Sequence, residues 1–291
     1  MFDYSRKPVK WQVGNFSFST YVANLGETEN KGIEAYLNYR VYDGGRDYVN
    51  VFVSAAHNKN TLKKISNSLR AWNDAQNANA MENAITAPQV KYYEGCSMNA
   101  IWAVKSLGID PQNGKEIYVK RDGTVTYEYN VNDQVVCGDT QPKWNGLFGI
   151  NGEINGWGWN ISMNYRWGGQ MYNQTLVDKV ENASLQYNVD KRVMTDRWQK
   201  PGDMALYKAI TDLTTTYPTS RFVQDYNLFT MSSITVYYDF RNCSFVKNSF
   251  LERLKISAYT NDLFVISSIK TERGTDYPFA RTFSLSAQVT F

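Results

Sequence analysis

The chain has 291 residues, 15% of them aromatic and 20% charged, with a formal net charge of +3. Its lysines and arginines are interspersed with acidic residues, which argues against a nucleic-acid face. No run approaches the roughly 20 consecutive apolar residues that a membrane-crossing helix requires, so any span must be built from strands.

The opening MFDYSRKPVKWQ is basic, but no apolar stretch or small-residue cleavage site follows it. It does not read as a signal peptide, and an exported chain is expected to have sequence upstream. Beyond it the recurring signal is alternation with a period of two, which sends successive side chains to opposite faces of a strand. Phe16 and Phe18 make a short first instance. After a link from Asn24 to Lys31, the residues Ile33, Ala35, Leu37, Tyr39 and Val41 alternate with Glu34, Tyr36, Asn38 and Arg40. The turn Asp43-Gly44-Gly45-Arg46 leads into Val49, Val51, Val53 and Ala55, set opposite Asn50 and Ser54.

A long connection then runs over 61–142. Its polar, alanine-containing start is compatible with a short helix within 61–84, and 116–129 reads as a small hairpin turning at Asp122-Gly123. Phe148, Ile150 and Ile154 form the next strand, and Asn155-Gly156 suits a type I′ turn. Residues 157–168 put Trp157, Trp159, Ile161, Met163, Tyr165 and Trp167 on one face and Gly158, Asn160, Ser162, Asn164 and Arg166 on the other. A second long connection covers 173–222. Strands follow at Ile234, Val236, Tyr238 and Phe240, then at Leu254, Ile256 and Ala258, joined by a modest turn over 241–249. A last loop, 264–280, precedes Phe283, Leu285, Ala287, Val289 and Phe291.

A soluble sandwich also alternates, so alternation alone leaves the two architectures open. Connection length separates them. The connections switch between short and long, as an up-and-down barrel with one tight and one elaborate rim requires, and the apolar faces are edged by Trp and Tyr as at a lipid headgroup level. The expected fold is all-β: an antiparallel transmembrane barrel segment of about eight strands, with short turns on the periplasmic side and long extracellular loops. Eight strands can also close into a small barrel by themselves.

No enzyme constellation is present. The single histidine, His57, lies at a strand end with no nucleophile motif or metal-ligand spacing around it. Glu27 and Glu29 read as polar loop positions, not an acid/base pair. Cys96, Cys137 and Cys243 are odd in number and far apart, which fits free thiols, with a Cys96–Cys137 bridge inside one loop as the alternative. No cofactor or metal is implied. A functional surface is expected in the long loops. There Tyr92, Tyr93, Trp102 and Trp198 can stack on sugar rings or contact peptide side chains, or else pack the loops.

The motif series is more specific than any single element. It runs Asn24-Leu25-Gly26-Glu27, Asn30-Lys31-Gly32-Ile33-Glu34, Tyr93-Glu94-Gly95, Gly108-Ile109-Asp110-Pro111 with Asn113-Gly114, and Gly138-Asp139. It continues through Gly168-Gly169-Gln170-Met171-Tyr172-Asn173, Asp196-Arg197-Trp198, Pro201-Gly202-Asp203 and Ser220-Arg221-Phe222-Val223. Asn261-Asp262-Leu263-Phe264 and Glu272-Arg273-Gly274-Thr275-Asp276-Tyr277-Pro278 end it. In this order the chain resembles the SusC/RagA type of TonB-dependent outer-membrane transporter of Bacteroidetes.

The resemblance implies a barrel of about 22 strands with an N-terminal plug, capped by a SusD-type surface lipoprotein and driven by TonB. Residues 1–291 match only its C-terminal barrel part, with plug and TonB box absent. The implied function is uptake of oligosaccharides or peptides across the cell outer membrane, with this chain supplying wall and outer loops. Arg197, Asp203, Arg221 and Arg273 sit in family motifs, as loop architecture or as ligand contacts. Phe291 would be read by the barrel assembly machinery, and its strand would face outer-membrane lipid. A stand-alone small barrel with an adhesive or structural role is the alternative, and a soluble carbohydrate-binding sandwich a further one.

Overall fold

A computed structural model describes residues 11–13, 16–18, 26–186, 189–270 and 281–291. Among the described residues, two short strands, β1 (Trp11–Val13) and β2 (Phe16–Phe18), pair only with each other. The Phe16 to Phe18 segment, expected among the barrel strands, therefore stands outside the main sheet. Next come β3 (Gly26–Gly44), β4 (Asp47–Ile65), helix α1 (Asn67–Glu82), β5 (Ala100–Ile109), β6 (Glu116–Val119), β7 (Val125–Thr126) and β8 (Gln134–Asp139). The chain continues through β9 (Trp144–Ile154), β10 (Trp157–Tyr172), β11 (Val223–Asp239), β12 (Arg253–Asn261), β13 (Val265–Ser267) and β14 (Phe283–Thr290). The main sheet is eight-stranded in the order β14-β12-β11-β10-β9-β4-β3, with β13 also on β11. All of its recorded pairings are antiparallel.

Register is what turns alternation into a sheet with one apolar and one polar face. Val51 of β4 stands opposite Ile150 of β9, which stands opposite Ile161 of β10. The neighbouring row is Val53, Phe148 and Met163. Across β11, β12 and β14 the rows are Tyr238, Ile256 and Ala287, then Val236, Ala258 and Leu285. A slip of one residue would send each apolar set to the polar side, so the sorting of the two faces fixes the pairing. The Asn155-Gly156 turn adopts positive φ at both residues, 51° and 84°, as a type I′ hairpin demands.

Two strands outrun the sequence reading. The link from Asn24 to Lys31 is strand from Gly26 onward, and β4 continues to Ile65. These rungs have no apolar face, because ion pairs hold them: Glu29 bridges Lys31 and Lys63, each at 2.9 Å, and Glu27 lies 3.8 Å from Lys64. Cross-strand charge pairs stabilise a ladder without any hydrophobic alternation to announce it. Glu27 and Glu29 are thus strand residues.

The fold divides into two compact units. One is built from the described residues of 32–58, 141–170 and 224–291, and the other from those up to 31, of 59–140 and of 171–223. The second holds α1 and the sheet β7-β6-β5-β8. Ser66 caps α1 by accepting from the Leu69 amide at 3.3 Å. Buried Asn73 then exchanges two hydrogen bonds with the Tyr92 backbone, at 2.6 and 2.9 Å, as a neighbouring strand would. The hairpin expected over 116–129 is formed by β6 and β7, with Gly123 at φ 85°. All three cysteines are free, so the Cys96–Cys137 bridge is not made. No helix among the described residues is long and apolar enough to cross a membrane, which says nothing of crossing by strands.

Candidate functional site

The loop unit is organised around one guanidinium. Arg221, just ahead of β11, grips Glu116 of β6 through Nε to Oε1 at 3.1 Å and Nη2 to Oε2 at 2.7 Å. It also donates to both oxygens of Glu181, at 2.6 and 2.9 Å, and to the Leu206 carbonyl at 2.8 Å. The side chains of Glu116 and Glu181 are 3% and 0% exposed, so neither carboxylate has water to fall back on. Glu181 further accepts from the Lys208 amide at 3.0 Å and from the Thr216 hydroxyl at 2.8 Å. Burial by itself would raise the Glu181 pKa, but the charge and hydrogen bonds of Arg221 outweigh it and hold the carboxyl below its ordinary value. Burial likewise works against the Arg221 cation, and the two carboxylates more than reverse it, so its pKa is raised.

Arg197 serves the same unit differently. It is buried and donates to four backbone carbonyls, those of Lys208 (3.0 Å), Glu181 (3.4 Å), Ala209 (2.7 Å) and Asp212 (3.1 Å). A planar fork of five donors can satisfy irregular backbone that no ladder reaches. Asp203 closes its own turn, accepting from the amides of Gln199 and Lys200. At these three motif positions, Arg197, Asp203 and Arg221, the side chains hold loop architecture together.

Of the aromatic candidates, Tyr92 and Trp102 are buried at 7% and 5% exposure. Tyr93 lies against Trp102 with ring centroids 4.8 Å apart. Trp198 donates from Nε1 to the Pro111 carbonyl at 3.0 Å and covers Gly114, where a Cβ would sit 2.6 Å from the indole ring. The structure therefore brings Tyr92, Tyr93 and Trp102 into one neighbourhood and sets Trp198 against the Pro111–Gly114 turn instead. Arg273, with Glu272 to Pro278, lies outside the described residues. His57 meets the Lys143 carbonyl through Nδ1 at 2.5 Å and packs on Trp144 at 5.0 Å.

On the sheet unit the polar face carries a relay that the sequence reading left as merely wet. Arg40 donates to Asn50 at 3.3 Å, and Asn50 to Asn151 at 3.1 Å, across β3, β4 and β9. Tyr237 of β11 lies across Gly158, where a Cβ would meet its ring at 2.0 Å, and reaches Glu153 of β9 with a 2.8 Å hydrogen bond. Lys255 caps the Tyr237 ring at 3.6 Å. At the turn end Asp239 receives Arg241 and Arg253, each at 2.6 Å.

No family model matches the chain. It is 21% identical over 300 aligned positions to TonB-dependent receptor P39 of Formosa agariphila, covering 90% of this chain and 28% of the receptor. Among solved structures it superposes on the RagAB peptide transporter with a TM-score of 0.67 at 16% identity, over 87% of this chain. The chain has the fold of a SusC/RagA-type outer-membrane barrel segment. The "open-open" and "closed-closed" states of the RagAB peptide importer match equally well, each at a TM-score of 0.67 and 15% identity. The segment spans about a quarter of the length of these relatives, 28% and 27%. Its mostly antiparallel sheet is that expected of a barrel segment.

Proposed function

We propose that this segment supplies barrel wall and outer loops to an energised importer of oligosaccharides or peptides in the outer membrane. The observation that carries the reading is the register. It lays one apolar face across β4, β9 and β10, and another across β11, β12 and β14, each backed by a polar face rich in Asn, Tyr and charge. Such a wall has lipid on one side and water on the other, which suits transport and offers no catalytic group. Similarity to a TonB-dependent receptor and to RagAB supports the energised mode.

In this reading residues 1–291 are wall and loops, while plug and TonB box belong to other sequence. TonB drives the intact protein, a SusD-type lipoprotein meets the outer loops, and the assembly machinery inserts the barrel. Tyr93, Trp198 and Arg273 are the substrate-facing candidates, and Tyr92 and Trp102 act from beneath by fixing the loop that presents Tyr93. The test is a strain lacking the gene for the intact protein. It should lose growth on a defined oligosaccharide or peptide, and the tagged protein should fractionate with outer membrane and shift on an unboiled gel. Recovery in a detergent-free soluble fraction would refute the reading.

A further inference from the structure

Lys91, in the segment between α1 and β5, is 3% exposed, and so is Gln134 at the start of β8. The lysine Nζ donates to Gln134 Oε1. Among the described residues no carboxylate pairs with Lys91, and the charge that acts on it, the Arg121 guanidinium, has its own sign. An ammonium buried against a neutral carboxamide is a costly arrangement, because a buried ion needs an opposite charge. Burial, with Arg121 nearby, pushes the Lys91 pKa down to about 8, so near neutral pH a share of it stands as the free, nucleophilic amine. The carboxamide is held just as firmly. Gln134 pairs with Val104 in the β5–β8 ladder, and its backbone carbonyl accepts from Arg121 Nη2 at 2.9 Å. Its Nε2 donates to the Tyr129 hydroxyl at 2.8 Å. Tyr129 is fixed in turn, stacked on Tyr217 with centroids 4.8 Å apart and edge-on to Tyr118 at 5.7 Å. One carboxamide thus has an amine at its oxygen and a phenol at its nitrogen, in a place from which water is shut out.

We propose that Lys91 and Gln134 join in an intramolecular isopeptide bond that staples the loop unit, with Tyr129 as the proton carrier. The neutral Nζ adds to Gln134 Cδ, forming the Cδ–Nζ bond as the carbonyl π pair moves onto Oε1. The pair then returns and the Cδ–Nε2 bond breaks. Tyr129 gives its hydroxyl proton to the departing Nε2 and takes one from Nζ, so ammonia leaves and the phenol is restored. Amine and carboxamide become one substituted amide and ammonia, and nothing is oxidised or reduced. Burial keeps water from competing for Cδ, and escape of ammonia into bulk solvent makes the step one-way. The product replaces a buried cation with a neutral amide, which removes the cost of holding that charge out of water. It also ties together two positions 43 residues apart, closing a ring that contains β5, β6 and β7. Cys96 and Cys137 lie in the same loop as free thiols, so no disulfide does this for them. The inference stands on the loop unit alone and is independent of the transporter reading.

The experiment is tryptic peptide mapping by mass spectrometry of the intact protein, purified folded and denatured only for digestion. Trypsin does not cut after an acylated lysine. The expected product is a branched peptide, 71–105 joined to 122–143, lighter than the sum of the two by one ammonia. In Lys91→Met the 71–105 peptide should appear unbranched, and Gln134→Met should restore cleavage after Lys91. Tyr129→Phe keeps the stacked ring and loses the hydroxyl, and it should slow the appearance of the branched peptide roughly 10²-fold. Because wild-type protein alone carries the main result, a variant that fails to fold does not blunt the test. Complete cleavage after Lys91 in folded wild-type protein, with 122–143 linear, would overturn the proposal. A branched 122–143 peptide that persists in Lys91→Met would overturn it as well, and an unchanged rate in Tyr129→Phe would overturn the part assigned to Tyr129.

Discussion

Removing the guanidinium of Arg221 is the most decisive perturbation of the loop unit. Arg221→Met keeps the length of the side chain and deletes every donor that reaches Glu116 and Glu181. Glu181 retains the Lys208 amide and the Thr216 hydroxyl, but among the described residues Arg221 is the only ion-pair partner of Glu116. Breaking a buried pair by removing one partner costs about 3–5 kcal/mol, because the abandoned charge stays out of water. The penalty here sits toward the upper end, since one cation serves two carboxylates. At about 1.4 kcal/mol per tenfold, the loop amides should exchange with solvent roughly 10³- to 10⁴-fold faster. The assay is hydrogen exchange on the intact protein, reading the Lys208 and Thr216 amides against the β9 and β10 ladder as an internal standard. Arg221→Lys, which keeps charge and loses the fork, should fall between wild type and Met. Unchanged protection of the loop amides in Arg221→Met would refute the assignment of this cluster as the centre of the unit.

Other outcomes follow from the same geometry. Glu181 has a folded pKa below its unfolded one, so its contribution is full above the unfolded value near 4.5 and is lost as pH falls through the lowered folded value. Loop protection, corrected for intrinsic exchange, should be flat from neutral pH down to about 5 and drop beneath 4. In the unlinked chain Lys91 adds a rise of the same sign at higher pH: burial, with Arg121 nearby, pushes its pKa from 10.5 down to about 8. The unfolded chain then holds more protons between those values, so loop stability should rise from pH 8 toward 10, and Lys91→Met should abolish that rise. On the sheet, Gly158→Ala should cost about 1–3 kcal/mol by driving into the Tyr237 ring, and adding Tyr237→Ala should recover part of the loss in an unboiled gel-melting series. Val51→Arg, on the apolar face, should destabilise the fold by about 2–4 kcal/mol, whereas Asn160→Arg on the opposite face should be nearly neutral by the same gel.

What the sequence could announce was the lipid. Wherever one strand face is selected for apolar contact, as at Val51, Ile150 and Ile161, a period of two is written into the chain and the register follows from it. Where selection acts through pairs, nothing local records it. Glu29 and Lys63 extend β3 and β4 beyond the alternation, and β11 begins at Val223, well before the alternation noticed at Ile234. The loop cluster is harder still to read, because Arg221 stands 105 residues from Glu116 and 40 from Glu181. Each of the three looks like an ordinary loop charge until the fold brings them together. The aromatic candidates show the converse: Tyr92 and Trp102 attracted notice as rings in loops, and the fold has buried them.

Against β3, β4, β9 and β10 the sheet holds a cleft of about 810 Å³, lined by Glu34, Tyr36, Ser54, Asn145, Asn164 and Arg166 among others, and it has a structural cause of its own. The β4 ladder pairs with β9 through Val53 and resumes at Ala56, and between them Ser54 replaces backbone pairing with its hydroxyl, which accepts from the Leu147 amide at 3.1 Å. The Ser54 carbonyl lies inside this wall, where an unsatisfied backbone group costs several kcal/mol. Tyr165 answers it, donating its hydroxyl to Ser54 O at 3.0 Å from the apolar face. It can do so only because position 146 is glycine: a Cβ there would lie 2.0 Å from the same carbonyl and 2.8 Å from the Tyr165 hydroxyl. Ser54, Gly146 and Tyr165 therefore act as one unit that lets the wall open its ladder without exposing it. The opening falls under the floor of the cleft, at Ser54 itself, so the same three residues that keep the barrel sealed toward lipid make the room on its inner face.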